Sequence, residues 1–261
     1  MQKVTDEQII YCCHNCKSAR EAADILGIHV SSFIKRAKKT GYYDILLNKH
    51  NKQRRYTVND HAFSIMQYDV AYWLGYIAAD GSIVGNKLKF CIQRYDKNQL
   101  IRFTEFLKSD YQVNDHIAHY KDECGNIHNF DACNLSITSD EIVKDLQNYG
   151  IIQGKKYKDI NFISRIPPEY RLEFIFGLFD GDGSISFGST YNALTICSTH
   201  SMTDDIILEL KEYRIDGHIR HRKDIDVIYI QDKESIVNFY NKYKYGYRLE
   251  RKLNKFRNYL G

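Results

Sequence analysis

The chain has 261 residues, a formal net charge of +4 and 43% apolar residues, enough for one large or two modest domains with a real core. No apolar run reaches the ~20 residues that cross a bilayer, and residues 1–20 lack the apolar segment of a signal peptide. Together with seven scattered cysteines, at 12, 13, 16, 91, 124, 133 and 197, this excludes membrane and disulfide-framework classes. The expectation is a soluble, intracellular protein of a bacterial or phage-infected cytoplasm, or of an organelle.

Thr5 to Cys13 reads as a first helix capped by Thr5 or Asp6, and Ser18 to Leu26 as a second that Gly27 ends. Ala22, Ala23, Ile25 and Leu26 form its apolar face. Cys13 and Cys16 make a lone C-x-x-C beside Cys12 and His14; without a second pair they read as helix packing rather than a zinc site. Ser31 or Ser32 can cap a third helix to about Thr40, with Phe33, Ile34 and Ala37 inward and Lys35, Arg36, Lys38 and Lys39 outward. Helix, Gly-containing turn and basic helix resemble a DNA-binding helix-turn-helix, so residues 1–48 are expected to form a small all-α domain. Its third helix would enter a major groove through Val30, Ser31, Ser32 and Lys35. Residues 49–61, with Arg54 and Arg55, read as a basic linker that can lie along phosphates.

Next comes a stretch that occurs twice: Ala71-Tyr-Trp-Leu-Gly-Tyr-Ile-Ala-Ala-Asp80-Gly81-Ser-Ile and Glu173-Phe-Ile-Phe-Gly-Leu-Phe-Asp-Gly-Asp182-Gly183-Ser-Ile. Asp80 and Asp182 are 102 residues apart, which means two copies of one module. Each run is apolar around its circumference, as suits a helix buried on more than one side. Gly75, Gly177, Ala78, Ala79 and Gly181 leave a smooth flank on which two such helices can meet backbone to backbone. Gly81 and Gly183 read as left-handed residues just past each helix end. That leaves Asp80 and Asp182 at two negative helix termini, where converging carboxylates call for a divalent cation, Mg²⁺ by their oxygen chemistry.

After the first motif, Lys87–Gln93 alternates as a strand, with Leu88, Phe90 and Ile92 on one face and Lys87, Lys89, Cys91 and Gln93 on the other. Asn98–Lys108 reads as a helix, His116–His119 and Cys133–Ile137 as strands, and Asp140–Tyr149 as a closing helix. The second copy repeats the plan with strands at Leu194–Thr199, His218–His221 and Val227–Gln231 and helices at Thr203–Tyr213 and Glu234–Tyr243. His218-Ile-Arg-His221 follows His116-Ile-Ala-His119 by the same 102 residues; these imidazoles read as polar contacts, not metal ligands. Pro167 and Pro168 precede the second motif helix, where proline suits a first turn. Lys155-Lys156 and Arg251-Lys252 echo each other near the module ends.

Trp73–Gly81 and Ile175–Gly183 resemble the two signature motifs of a single-chain LAGLIDADG homing endonuclease, a likeness covering roughly residues 62–261. Trp73 and Ile175 stand where the signature has its first Leu, and Ala78 where it has its first Asp, which Asp180 keeps. The resemblance implies an α+β fold of two αββαββα repeats, 62–150 and 169–261 joined by 151–168, forming a pseudo-symmetric DNA-binding saddle. It also implies metal binding and catalysis by Asp80 and Asp182.

Mg²⁺-dependent hydrolysis of both strands of a site in double-stranded DNA is therefore the expected function, by a monomer on a long, near-palindromic or asymmetric target. Lys156 and Lys252 are expected at phosphates from their repeat positions. Lys35, Arg36, Arg54, Arg55, Lys87, Lys89, Gln93, Arg94, Arg220, Arg222 and Gln231 are the expected DNA contacts, Arg and Lys suiting guanine edges and Gln adenine. Net charge is +5 over residues 1–60, −6 over 61–211 and +5 over 212–261, so both ends are basic. An RNA-binding intron maturase and a non-cleaving DNA-binding regulator of the same fold are the alternatives. A small-phosphate enzyme is disfavoured because no Gly-rich phosphate loop is present.

Overall fold

The computed structural model describes residues 4–46, 56–122, 125–154 and 158–261. The chain divides into two compact units, Met1–Thr57 and Val58–Gly261. In the first, α1 (Asp6–Asn15) is opened by Thr5, whose hydroxyl accepts from the backbone of Gln8 and whose own backbone N–H donates to the Gln8 side-chain oxygen. Ser18 caps α2 (Ala19–Leu26), and Gly27, at φ +60°, ends it. Helix α3 (Val30–Thr40) begins earlier than expected, because His29 and not Ser31 or Ser32 is its cap; the His29 ring accepts from the backbone of Ser31. Ile9, Cys12, Cys13, Cys16, Ala22, Ala23, Phe33, Ala37 and Leu46 form the core of this unit. Ile25, expected inward, is 65% exposed, since the stripe that meets α1 and α3 runs through Ala22, Ala23 and Leu26.

The second unit follows the αββαββα order twice. Its first repeat is α4 (Tyr68–Asp80), β1 (Gly81–Val84), β2 (Lys87–Gln93), α5 (Lys97–Phe106), β3 (Asn114–Lys121), β4 (Ile127–Thr138) and α6 (Asp140–Asn148). Its second is α7 (Arg171–Asp182), β5 (Gly183–Phe187), β6 (Asn192–Ser198), α8 (His200–Glu212), β7 (His218–His221), β8 (Asp226–Ile230) and α9 (Lys233–Tyr243). A further helix, α10 (Glu250–Leu260), was not expected; Leu253 and Phe256 turn inward from it and give it an amphipathic face. Both sheets are antiparallel, in the orders β1-β2-β4-β3 and β5-β6-β8-β7. One apolar core runs through both repeats.

Val70 to Ala78 of α4 and Phe174 to Asp180 of α7 are each buried without a break, because each helix has the other on one side and sheets and helices on the rest. Their backbones meet at the two central glycines. A β-carbon at Gly75 would stand 2.0 Å from the carbonyl oxygen of Phe174, and one at Gly177 would stand 1.9 Å from that of Tyr72. The contact is reciprocal, as a pseudo-two-fold axis between the repeats requires.

Gly81 and Gly183 are not left-handed. Both are extended, at φ −77° and −98°, and each starts a strand directly from a helix end. Glycine is needed there for space: a β-carbon would stand 2.6 Å from Ile77 Cγ2 at Gly81 and 2.4 Å from Phe179 Cδ2 at Gly183.

Gly177→Ala stabilises an ordinary helix by about 0.5–1 kcal/mol. Here it is expected to destabilise by about 1–3 kcal/mol or more, because the new methyl meets a backbone carbonyl that cannot swing away. Urea unfolding tests this: a midpoint at or above the parent's would show that the helices do not pack through these glycines.

Candidate functional site

Asp80 and Asp182 are the last residues of α4 and α7. A β-carbon at Gly181 would stand 2.3 Å from Ala79 Cβ and 3.2 Å from Asp80 Oδ2, so the Asp80 carboxylate lies against the backbone one residue before Asp182. The helix crossing thus brings the two acids to one place, with Asp80 half-buried and Asp182 exposed. The buried Tyr76 hydroxyl donates to Asp80; burial, and then the Asp80 charge, hold its phenol well above the usual range. Carboxylate oxygens at two negative helix ends, one of them open to solvent, are a hard donor set that fits Mg²⁺.

Lys252 requires a correction. Its side chain is fully buried, and its ammonium donates to the carbonyls of Phe179, Asp180 (3.1 Å) and Gly183 (2.7 Å), capping the end of α7. It therefore does not offer a phosphate contact. Burial brings its pKa down to about 8, against the opposing pull of Asp180. The repeat echo misplaced it because α10, absent from the expected elements, turns it inward. Lys156, Arg54 and Arg55 lie outside the described residues.

Around Lys252 lies a buried polar cluster that sequence reasoning missed. Asp180 accepts from the Tyr72 hydroxyl (2.7 Å), the Tyr243 hydroxyl and the Leu249 amide (2.9 Å), and Gln99 in turn donates to the Tyr72 oxygen. Burial pushes the Asp180 carboxyl up, with Lys252 and these donors opposing. Arg248 is fully buried, stacked over Phe176, paired with Glu173 at 2.9 Å, and donating to the carbonyls of Tyr243 and Tyr247. Two signals pointed here: an Asp inside the apolar run at 180, and Arg248 and Lys252 four residues apart in the tail.

Each carboxylate leads straight into a sheet with a polar face. In the first, Lys89 stands opposite Ser82 and Ser136, with Lys87 and Gln93 exposed to either side. Arg94 is exposed but held by Asp115 at 3.2 Å. In the second, Ser184, Thr195, Tyr229 and His218 form a cross-strand row, and the Arg220 guanidinium lies over the Tyr229 ring at 4.5 Å. Arg222 is exposed after β7, and Gln231 is half-buried just past β8. In the first unit Lys35 is exposed, while Arg36 pairs with Asp6 at 2.7 Å.

Residues 171–253 match the family model of the WhiA LAGLIDADG-like domain. No curated protein sequence matches the chain. Among solved structures, the chain is similar to full-length DUF199/WhiA from Thermatoga maritima, at 14% identity and TM-score 0.48, over 77% of this chain and 64% of that one. It is also similar to the homing endonuclease I-WcaI bound to its DNA recognition sequence, at 16% identity and TM-score 0.49, over 76% of this chain and 88% of that one. A third is I-DmoI in complex with DNA and Mn, at 16% identity and TM-score 0.44, over 72% of this chain and all (100%) of that one. No helix among the described residues is long and apolar enough to cross a membrane.

Replacing one member of the buried cluster is expected to be costly. Arg248→Leu leaves Glu173 and two backbone carbonyls without their donor, a loss of about 3–5 kcal/mol. The double variant Arg248→Leu/Glu173→Leu should recover part of it, because no buried charge is then left unpaired. A single variant as stable as the parent in urea unfolding would show that Arg248 and Glu173 do not help to hold the first turn of α7.

Proposed function

We propose that the chain is a site-specific endonuclease of double-stranded DNA, in which Asp80 and Asp182 each serve one strand. The observation that carries this reading is the convergence of two carboxylates at the ends of paired, pseudo-symmetric helices, each at the root of a polar sheet face. A duplex has the same two-fold relation between its backbones.

Asp80 and Asp182 would hold Mg²⁺, which when bound supplies a Lewis acid and activation of water for in-line attack. Tyr76 orients the Asp80 carboxylate through its hydrogen bond. Lys252 fixes the end of α7 from inside, and so the position of Asp182, without touching substrate. Lys87, Lys89, Arg220 and Arg222 neutralise phosphates or bind guanine edges, and Gln93 and Gln231 suit adenine. Lys35, Lys38 and Lys39 on α3 bind further phosphates outside the cleavage site, in keeping with a helix-turn-helix. The internal repeat lets one chain act as a monomer.

The match of residues 171–253 is to a domain described by its likeness to the motif and not by an activity. That favours one second reading, a DNA-binding regulator that uses the same sheets without cutting.

The two readings part on a cleavage assay against a library of plasmid-borne sites, with and without Mg²⁺. Asp80→Asn and Asp182→Asn are each expected to lower double-strand cleavage by at least about 100-fold while gel-shift binding survives. Binding without cleavage by the parent under any divalent metal would leave the regulator.

Lys35→Ala/Lys38→Ala/Lys39→Ala is expected to lower the slope of log affinity against log salt by about 0.9 for each phosphate that is no longer neutralised. The cleavage rate at saturating protein should not change. An unchanged slope would remove α3 from the interface.

A further inference from the structure

A separate group of ligating side chains lies in the second repeat. His200 is the first residue of α8, His221 the last of β7 and Asp226 the first of β8. Nδ1 of His200 and Nδ1 of His221 each lie 2.9 Å from the same oxygen, Oδ1 of Asp226. The three ligand atoms are all within 4.8 Å of one another, and among the described residues no other group of three is so placed. The Asp226 side chain is only 3% exposed, while those of His200 and His221 are 40% and 76% exposed, so a fixed carboxylate faces two rings reachable from solvent.

The other ring nitrogen of His200 narrows the chemistry. Its Nε2 faces the carbonyl oxygen of Lys223 at 3.4 Å. A neutral imidazole that donates there carries a lone pair at Nδ1, and that lone pair points at a carboxylate oxygen. Either a proton on Nδ1 or a metal cation can occupy the gap between that nitrogen and the Asp226 oxygen. The surroundings supply an outer contact of a metal site: the Lys223 carbonyl can accept from Nε2 of His200 when Nδ1 is the ligating nitrogen. Asp159, which accepts from the Ser201 amide at 2.9 Å, adds a second carboxylate near His200.

We propose that His200, His221 and Asp226 bind a divalent transition-metal ion of the zinc class, through two imidazole nitrogens and one carboxylate oxygen, with a fourth position open to water. Metal–ligand distances of ~2.0–2.2 Å in a tetrahedral site place ligand atoms roughly 3.3–3.6 Å apart, so the 2.9 Å separations must open by about half an ångström. Imidazole selects this class over Mg²⁺, which keeps the site chemically distinct from Asp80 and Asp182. The ion would tie the edge strand β7, which carries Arg220, to β8 and α8. Among the described residues the first repeat has no counterpart, since His119 pairs with Asn129 and His116 lies beside Cys91 and Asn134.

The test is calorimetric titration of the metal-stripped full chain with Zn²⁺ in excess Mg²⁺, repeated for His221→Ala and for Cys12→Ser/Cys13→Ser/Cys16→Ser. One equivalent is expected in the parent and in the cysteine variant. His221→Ala should weaken binding by more than the ~10–100-fold that follows removal of an outer hydrogen-bond partner. Zn²⁺ should also raise the melting temperature of the parent but not of His221→Ala. No Zn²⁺ binding, binding unchanged in His221→Ala, or binding abolished with the cysteines and accompanied by Co²⁺–thiolate absorption would each overturn the proposal.

Discussion

Where α4 crosses α7 no side chain separates the two backbones: the carbonyl of Phe174 faces Gly75, and that of Tyr72 faces Gly177. Two mid-helix glycines cost about 0.5–1 kcal/mol each. That is small against the ~1.5–3 kcal/mol for each large apolar side chain the two helices bury together. The close approach fixes the rest. It puts Ala79 against Gly181, carries Asp80 and Asp182 to adjoining helix ends, and, through extended Gly81 and Gly183, aims β1 and β5 away from the crossing as the first strands of the two sheets. One interhelical contact therefore sets both the carboxylate pair and the origin of each polar face.

The repeats agree in backbone and differ in charge. The second carries Asp180 where the first has Ala78, and with it Arg248, Lys252 and Glu173 in the interior. Burying such groups costs several kcal/mol each unless every one finds partners. Here Asp180 has three donors, Arg248 a carboxylate and two carbonyls, and Lys252 three carbonyls. The cluster anchors the chain after α9 and the start of α10 to α7. Apolar packing would hold the same segments, but it would leave the last carbonyls of α7 without the ammonium that caps them.

Much of this was legible in the sequence because periodicity reports faces. The 102-residue offset gave two modules, the alternation of Lys87–Gln93 gave a strand with its exposed side correctly chosen, and Thr5, Ser18 and Gly27 marked helix ends through their own local hydrogen bonds or dihedrals. Part of what escaped depends on partners distant in sequence. A buried Lys252 has the same letter as a solvated one, and only α10 shows which it is. Gly81 and Gly183 looked like left-handed caps because that is glycine's common use, whereas here they are shaped by Ile77 and Phe179 on the preceding turn. Ile25 facing out and the meeting of His200 with Asp226 likewise rest on geometry that no local pattern records, whereas His29 caps α3 through a local bond from the Ser31 amide that serine's commoner use as a cap obscured.

Charge then constrains how the proposed reading works. Asp80 and Asp182 add two carboxylates to two negative helix ends, and Lys252, brought down to about 8 by its burial, offsets only the α7 end. A phosphate approaching that point meets net repulsion. In that reading Lys87, Lys89, Arg220 and Arg222 would attract the same duplex from the sheet faces, where screening is that of solvent. Attraction and repulsion therefore act on different parts of the DNA. The basic side chains can hold a duplex along the sheets whatever divalent ion is present, whereas closing the last few ångströms to the carboxylates needs a cation between two like charges. In the proposed reading recognition and chemistry are thus physically separable: the sheets would carry DNA binding, and cleavage would be confined to two carboxylates and the ion they would hold.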